Sequence, residues 1–363
     1  MNREQCIICG YNVFEDIFTL HNYPICVSPT RGDPKFDNFE DLIFKGCVNC
    51  GCVQLITLTD PSILYSQNHN NTYNTETWRL HHIAFANFVA GAMEGDEILE
   101  IGGNNGVLAN LILSQKKVNY TIIDMCKDTP ISDKFTFINA NAETYIYKTN
   151  SLIMSHVFEH LFNPRQFVQK IANENVEHVF ISVPNITALI KSKNILPLHV
   201  EHTFFCSSAI IQKLFAESGY TCKEERQFKN HSIFFHFNRL GQQSDRVFNE
   251  LCTMDEIKSV FVDGERALKN IDIKELFYIA PAGLYGQRIY YTLQNYKHLI
   301  LGFLDNDPDK IGFRVYGTPN YVFAPTELAK HKSIHVLLFA GPYSDEIKRQ
   351  YIIINPNITF ITI

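Results

Sequence analysis

The sequence predicts an α/β chain in three parts: a small cysteine-rich lobe over residues 1–75, a parallel-sheet domain over 76–245, and a second unit of the same kind over 246–363. Three observations predict it. Four cysteines fall early, as two pairs of identical spacing. From Glu97 onward, short apolar runs alternate with helical stretches. After about residue 270 a strand-turn-helix pattern begins again. A length of 363 residues suits two or three domains at roughly 100–200 residues each.

Composition sets the outer limits. With 45% hydrophobic and only 19% charged residues, the chain is too apolar to remain disordered. The formal charge of -6 has no long basic run, which argues against nucleic acid or an anionic membrane as partner, since both need a patch that displaces counterions. Met1-Asn2-Arg3-Glu4-Gln5 is no secretory leader, and no stretch approaches the ~18 apolar residues of a membrane span. The expectation is a soluble cytoplasmic protein, a monomer or small homo-oligomer. Ten cysteines are too sparse for a disulfide scaffold, and their pairing points to metal.

The cysteine pairs read Cys6-Ile7-Ile8-Cys9-Gly10 and Cys47-Val48-Asn49-Cys50-Gly51. Between them, Pro24, Pro29, Gly32 and Pro34 mark loops. Ile83, Phe85, Phe88, Val89 and Met93 recur at helical spacing, predicting a linking helix over 78–93. Glu97-Ile98-Leu99-Glu100-Ile101 reads as a buried strand, followed by a Gly/Asn turn and a helix over 107–113. Further strands are predicted over 120–124, 135–138, 152–154 and 179–183. The strand-rich pattern ends in a polar stretch near 237–243, and a connecting helix follows over 247–268. The second unit then offers strands at 276–280, 299–304 and 336–339.

Two thiolates two residues apart can hold adjacent vertices of a tetrahedron, and Gly10 and Gly51 relieve the tight turn after each pair. Cys6, Cys9, Cys47 and Cys50 therefore predict a structural Zn2+ with a closed shell, holding a lobe too small to bury much core. The alternative is two incidental pairs of buried thiols. Cys26 and Cys52 are substitute ligands, and no role is assigned to Cys126, Cys206, Cys222 or Cys252.

Glu100-Ile101-Gly102-Gly103-Asn104-Asn105-Gly106 lies between a strand and a helix, where glycines let the backbone approach a ligand. Eighteen residues after Gly106, Asp124 ends the next strand, where a carboxylate can accept both hydroxyls of a ribose. Together they predict a nucleoside-cofactor site rather than a merely tight turn. The spacing differs from the Gly-x-Gly-x-x-Gly pyrophosphate fingerprint. It resembles motif I of class I S-adenosylmethionine methyltransferases. The resemblance implies S-adenosylmethionine as cofactor, held by Glu100, Gly102, Asn104, Gly106 and Asp124. In the same family pattern Asn141, in Asn139-Ala140-Asn141-Ala142-Glu143, lies where the adenine is contacted. Ser155-His156-Val157-Phe158-Glu159-His160-Leu161 looks like the family's His-x-x-Glu-His segment, which places His156 at the cofactor pocket; a purely structural His/Glu cluster is the other possibility.

The order of parts narrows the resemblance. The four-cysteine lobe, this motif, His199-Val200-Glu201-His202-Thr203-Phe204-Phe205-Cys206-Ser207 and a second Rossmann-like unit together look like the zinc-containing sugar C-methyltransferase family of deoxysugar biosynthesis. The likeness spans essentially the whole chain. It implies a nucleotide-linked keto-deoxysugar as substrate, and His202 as the base, with Glu201 matching the acid before it. His199 stands where the family has tyrosine, Gly103 and Asn105 where serine and aspartate are usual, and Ala340-Gly341-Pro342-Tyr343 in place of a Trp-containing stretch. These departures are compatible with another sugar, or with N- or O-methylation.

Chemistry gives these groups their work. A sugar carbon becomes nucleophilic only when a neighbouring ketone acidifies its hydrogen, so C-methylation needs a base and a donor for the enolate oxygen. Histidine suits the first role because its pKa lies near neutrality. His199, Tyr73 or His156 could supply the second. Tyr65, Tyr73 and Trp78, in the segment joining the lobe to the sheet, could cover the site, or simply pack there. In the last part, Ala280-Pro281-Ala282-Gly283-Leu284-Tyr285-Gly286 and Asp305 outline a degenerate nucleotide-type turn, expected to help shape a substrate cleft rather than bind a second cofactor. Two readings of other classes remain: a non-catalytic zinc-containing binding protein on the same fold, and a dehydrogenase using the last unit.

Overall fold

The computed structural model describes residues 2–27, 29–64, 76–126, 132–192, 200–239 and 254–361. The chain divides into two units. The first comprises Met1–Ile17, Phe44–Lys191 and Glu201–Asp255; the second comprises Phe18–Ile43, Ser192–Val200 and Glu256–Ile363. Both cysteine pairs thus belong to the unit that contains the larger sheet, while residues 18–43 belong to the other.

The larger sheet has seven strands: β1 (Glu97–Ile101), β2 (Asn119–Asp124), β3 (Thr136–Asn139), β4 (Ser151–Ser155), β5 (His178–Pro184), β6 (Tyr220–Phe228) and β7 (Ser232–Arg239). Their spatial order is β3-β2-β1-β4-β5-β7-β6. Neighbours from β3 to β5 are parallel, whereas β7 runs antiparallel to both β5 and β6. This is the class I methyltransferase form of the Rossmann-like sheet. The chain winds outward through β1, β2 and β3, then returns to place β4 beside β1. That reversal opens a crevice at the carboxyl ends of β1 and β4, where open α/β sheets bind ligands.

Residue pattern explains the layers. β4 and β5 are buried along nearly their whole length, as strands covered on both faces must be. Helix α1 (Glu76–Ala92) turns Phe85, Phe88 and Val89 onto Leu108 and Ile112 of α2 (Val107–Leu113) and onto Ile122, Ile153 and Phe234 of the strands. Helix α3 (Pro164–Asn173) starts with proline at its first turn, where no amide is needed, and Ser207 Oγ caps α4 (Ser208–Glu217). The predicted strands and both predicted helices of this region are present, with ends shifted by a residue or two.

A smaller sheet carries the cysteines. The end of the strand Phe39–Cys47 pairs antiparallel with Val53–Leu55, matching Gly46 to Val53 and Phe44 to Leu55. On the other side of Val53–Leu55, the two-residue strand Phe204–Phe205 pairs antiparallel, Phe204 opposite Gln54.

The second unit is a doubly wound parallel sheet of β8 (Phe277–Ala280), β9 (Ile300–Leu304), β10 (Val322–Phe323), β11 (Ile334–Leu338) and β12 (Ile358–Ile361), ordered β10-β9-β8-β11-β12. Helix α5 (Met254–Lys269) precedes it and α6 (Leu284–Thr292) follows β8. Gly286 lets α6 lie close on the strand end, since a Cβ there would collide with the Pro281 carbonyl. The acid at the end of β9, Asp305, is buried and ion-paired with Lys310 at 3.1 Å. Within the same unit Arg314 makes a two-pronged pair with Asp37, both N–H···O distances being 2.6 Å and both side chains almost fully enclosed. Among the described residues no helix is long and apolar enough to cross a membrane.

Candidate active site

The turn after β1 has the backbone that its glycines predict. Gly102 and Gly106 sit at φ 72° and 74°, in the left-handed region, with Asn104 at 43° between them. Space is as restrictive as torsion: a Cβ on Gly102 would lie 2.5 Å from Val157, and one on Gly106 2.5 Å from the Phe135 ring. Asp124, at the end of β2, closes the turn by accepting the Asn104 amide at 3.0 Å, while its other oxygen accepts the Cys126 amide at 2.9 Å. Beside the crevice, Asn105 Oδ1 and Ser155 Oγ are buried without a hydrogen-bond partner among the described residues, polar atoms that a bound ligand can satisfy.

Glu100 lies beneath this turn rather than on it. It is 2% exposed, a Cβ on Gly103 would come within 2.8 Å of its Oε2, and the Tyr120 hydroxyl donates to the same oxygen at 2.9 Å. Burial pushes its carboxyl up to about 8. Asn141, in the turn after β3, accepts the Glu143 amide through Oδ1 at 2.8 Å.

The loop after β4 brings the predicted acid–base residues together. His156 adopts φ 53° and aims Nδ1 at Glu159 Oε1, 3.3 Å away, with Nε2 at 2.8 Å from Ser232 Oγ. The same Glu159 oxygen is 3.9 Å from His202 Nε2. Neither Glu159 oxygen accepts a well-formed hydrogen bond from another described residue, and burial pushes this carboxyl up to about 7. Burial pulls His156 down to about 3, so it is neutral at physiological pH. Glu201, which the resemblance matches to the acid before the base, lies 3.9 Å from His160 Nδ1, and Glu159 Oε1 lies 3.9 Å from His202 Nε2. Glu159 and His202 line a pocket that is otherwise mostly apolar, with Phe158, Val183, Phe204 and Ile211 among its walls. Tyr65, Tyr73 and His199 lie outside the described residues.

Sequence reasoning gave no function to His81, His231 or Ser232, yet these surround His156. Trp78 stands edge-on to His81, His156 and His231 at ring separations of 5.1, 4.8 and 4.7 Å. No signal in the sequence joins residues from a helix, a loop and a turn so far apart.

The two cysteine pairs form one cluster. Cys6 Sγ is 3.6 Å from Cys50 Sγ, Cys9 Sγ is 3.5 Å from Cys47 Sγ, and all four lie within 4.8 Å of one another. A tetrahedral Zn2+ with bonds of about 2.3 Å needs sulfurs about 3.8 Å apart, so the set fits that ion closely. Each pair is wrapped identically: Gly10 N donates to Cys6 O at 2.8 Å and Gly51 N to Cys47 O at 2.9 Å, with both glycines near φ 75°. Gln54 links the first pair to the small sheet by accepting the Ile7 amide and donating to the Gln5 carbonyl.

Residues 78–225 match the family described as a methyltransferase domain. No curated protein matches the chain. Among solved structures it is similar to magnesium protoporphyrin IX methyltransferase from Synechocystis, at 15% identity over 48% of this chain and 90% of that one, TM-score 0.38. It is also similar to the N-methyltransferase NodS from Bradyrhizobium japonicum, at 13% identity over 46% and 89%, TM-score 0.35. A third is the 1,6-didemethyltoxoflavin-N1-methyltransferase of Burkholderia thailandensis, at 10% identity over 53% and 97%, TM-score 0.39. The match to a methyltransferase-domain family over residues 78–225 falls on the part of the chain that forms most of the seven-stranded sheet.

Proposed function

We propose that the chain is an S-adenosylmethionine-dependent methyltransferase that acts on a nucleotide-linked keto-deoxysugar and methylates it at carbon. The observation that carries the catalytic reading is the pairing of Glu159 with His202 at the wall of an apolar pocket. Support for the sugar comes from the sequence: the cysteine knuckles, the turn after β1, the segment Glu201-His202 and a second α/β unit occur in the order of the sugar C-methyltransferases.

Gly102, Asn104 and Gly106 then form the turn against which the cofactor lies, with Asp124 taking the ribose hydroxyls and Asn141 the base. Glu100 braces the turn from below. S-adenosylmethionine, when bound, supplies an electrophilic methyl group. His202, whose Nε2 faces Glu159, takes the proton from the carbon beside the substrate ketone. The Glu159 group, as the carboxylate, stabilises the imidazolium that results. His199 or Tyr73 donates to the enolate oxygen, and the apolar walls exclude water that would compete for the methyl group. Cys6, Cys9, Cys47 and Cys50 hold a structural Zn2+.

The test is incubation with a panel of nucleotide-linked keto sugars and methyl-labelled donor, followed by product mass and NMR. A new carbon–carbon bond is expected; a label on nitrogen or oxygen overturns C-methylation, and no methylated sugar overturns the substrate class. His202→Ala should bind the cofactor and lose turnover, and wild-type turnover in that variant overturns the base assignment.

A further inference from the structure

Three imidazoles meet in the first unit from distant parts of the chain. His81 lies on α1, His156 follows β4, and His231 occupies the turn between β6 and β7. One ring nitrogen from each lies within 4.8 Å of the other two. His81 is fully buried: its Nε2 is 2.8 Å from Ser182 Oγ, and its Nδ1 is enclosed with no hydrogen-bond partner. His156 Nε2 and His231 Nδ1 converge on one hydroxyl, Ser232 Oγ, at 2.8 and 2.5 Å.

Packing alone does not call for this arrangement. An orphaned buried nitrogen is destabilising, and apolar rings would fill the space without it. His156 also holds a left-handed backbone conformation that non-glycine residues seldom adopt. Its Nδ1 faces the Glu159 carboxylate at 3.3 Å, the outer contact that commonly orients a metal-binding histidine.

We propose that His81, His156 and His231 bind a divalent first-row transition-metal ion of the zinc class, at a site separate from the four cysteines. His81 coordinates through Nδ1, because Nε2 is held by Ser182. Three imidazoles leave a fourth position for an oxygen, and Ser232 Oγ is within reach of it. Imidazole donors select zinc, nickel, copper or iron over magnesium and calcium, which prefer oxygen ligands. The inference does not rest on the substrate, and its site shares only Glu159 with His202.

Cobalt(II) titration of the metal-stripped full chain tests it. Two equivalents per chain are expected, of which one shows the thiolate-to-cobalt charge-transfer band of the cysteines and the other shows only ligand-field bands. His231→Gln and His81→Ala should each lose the second equivalent and keep the thiolate band, which also certifies that the variant is folded. A wild-type chain in which all bound cobalt shows the thiolate band overturns the proposal, as does a histidine-type equivalent that survives in both variants. Because the wild-type titration decides by itself, a variant that fails to fold does not shelter the idea.

Discussion

The amide of Thr203 donates to the carbonyl of Glu159 at 2.9 Å, which fixes the segment bearing His202 beside the loop bearing its carboxylate. The link is reinforced from both sides. Thr203 Oγ1 donates to Leu161 O at 2.5 Å, and the Arg3 guanidinium reaches Thr203 O at 2.6 Å and Phe162 O at 2.7 Å. With Phe204 paired to Gln54, the candidate base is strung between the methyltransferase sheet and the cysteine lobe.

Glu159→Gln keeps the shape of the side chain and removes the charge that stabilises protonated His202. Turnover is expected to fall about 10²-fold or more, with cofactor affinity little changed. Steady-state kinetics alongside calorimetric cofactor binding measures both; unchanged turnover would place the base elsewhere.

Glu100 gives a pH signature. Its carboxyl is raised by burial to about 8, from an ordinary 4.5, so the folded chain favours the protonated form. The associated stability is fully present below the unfolded value and is lost as pH rises through about 8. Glu100→Gln retains an acceptor for Tyr120 and cannot ionise. Its unfolding midpoint should match wild type in acid and exceed it increasingly as pH rises from about 4.5 to about 8, by a free energy on the order of 5 kcal/mol at the upper end. Equal midpoints at alkaline pH would contradict the enclosed acid.

Removing metal from the cysteines should be felt at His202. Cys47 N donates to Cys52 O at 2.8 Å, so the second knuckle is the turn that aligns Val53–Leu55 with its neighbours. In Cys47→Ser, amide exchange in Val53–Leu55 should accelerate and turnover should drop, while cofactor affinity changes less than about tenfold. Full turnover without bound metal would show that the lobe does not position the base.

Gly106→Ala meets two obstacles at once, φ 74° and the Phe135 ring at 2.5 Å. The torsion alone costs about 1–2 kcal/mol. A lowered melting temperature together with weaker cofactor binding is expected in calorimetry. Loss of stability with unaltered affinity would separate the turn from the cofactor.

Much of this was legible in the sequence because it is local. The apolar runs of β1, β2, β4 and β5, the helix after Gly106 and the spacing of the four cysteines each lie within a few residues. Edge strand β6 was not legible: most of its residues are half-buried or exposed, and Lys223, Glu224, Glu225 and Arg226 give it no apolar alternation. The site was legible as residue types and illegible as partners. His202 and Glu201 were singled out, whereas the approach of Glu159 to His202 comes from another loop and leaves no local pattern. The histidines at 81, 156 and 231 share no local pattern at all, since only the closed sheet brings them together.

The two-pronged contact between Arg314 and Asp37 spans 277 positions of the chain. During synthesis, residues 18–43 emerge long before the strands they belong with, and Asp37 can have no buried partner until most of the polypeptide has been translated. The second unit therefore cannot mature in step with the ribosome from its amino end, as domains made of one continuous stretch can. Its completion waits for the last third of the message.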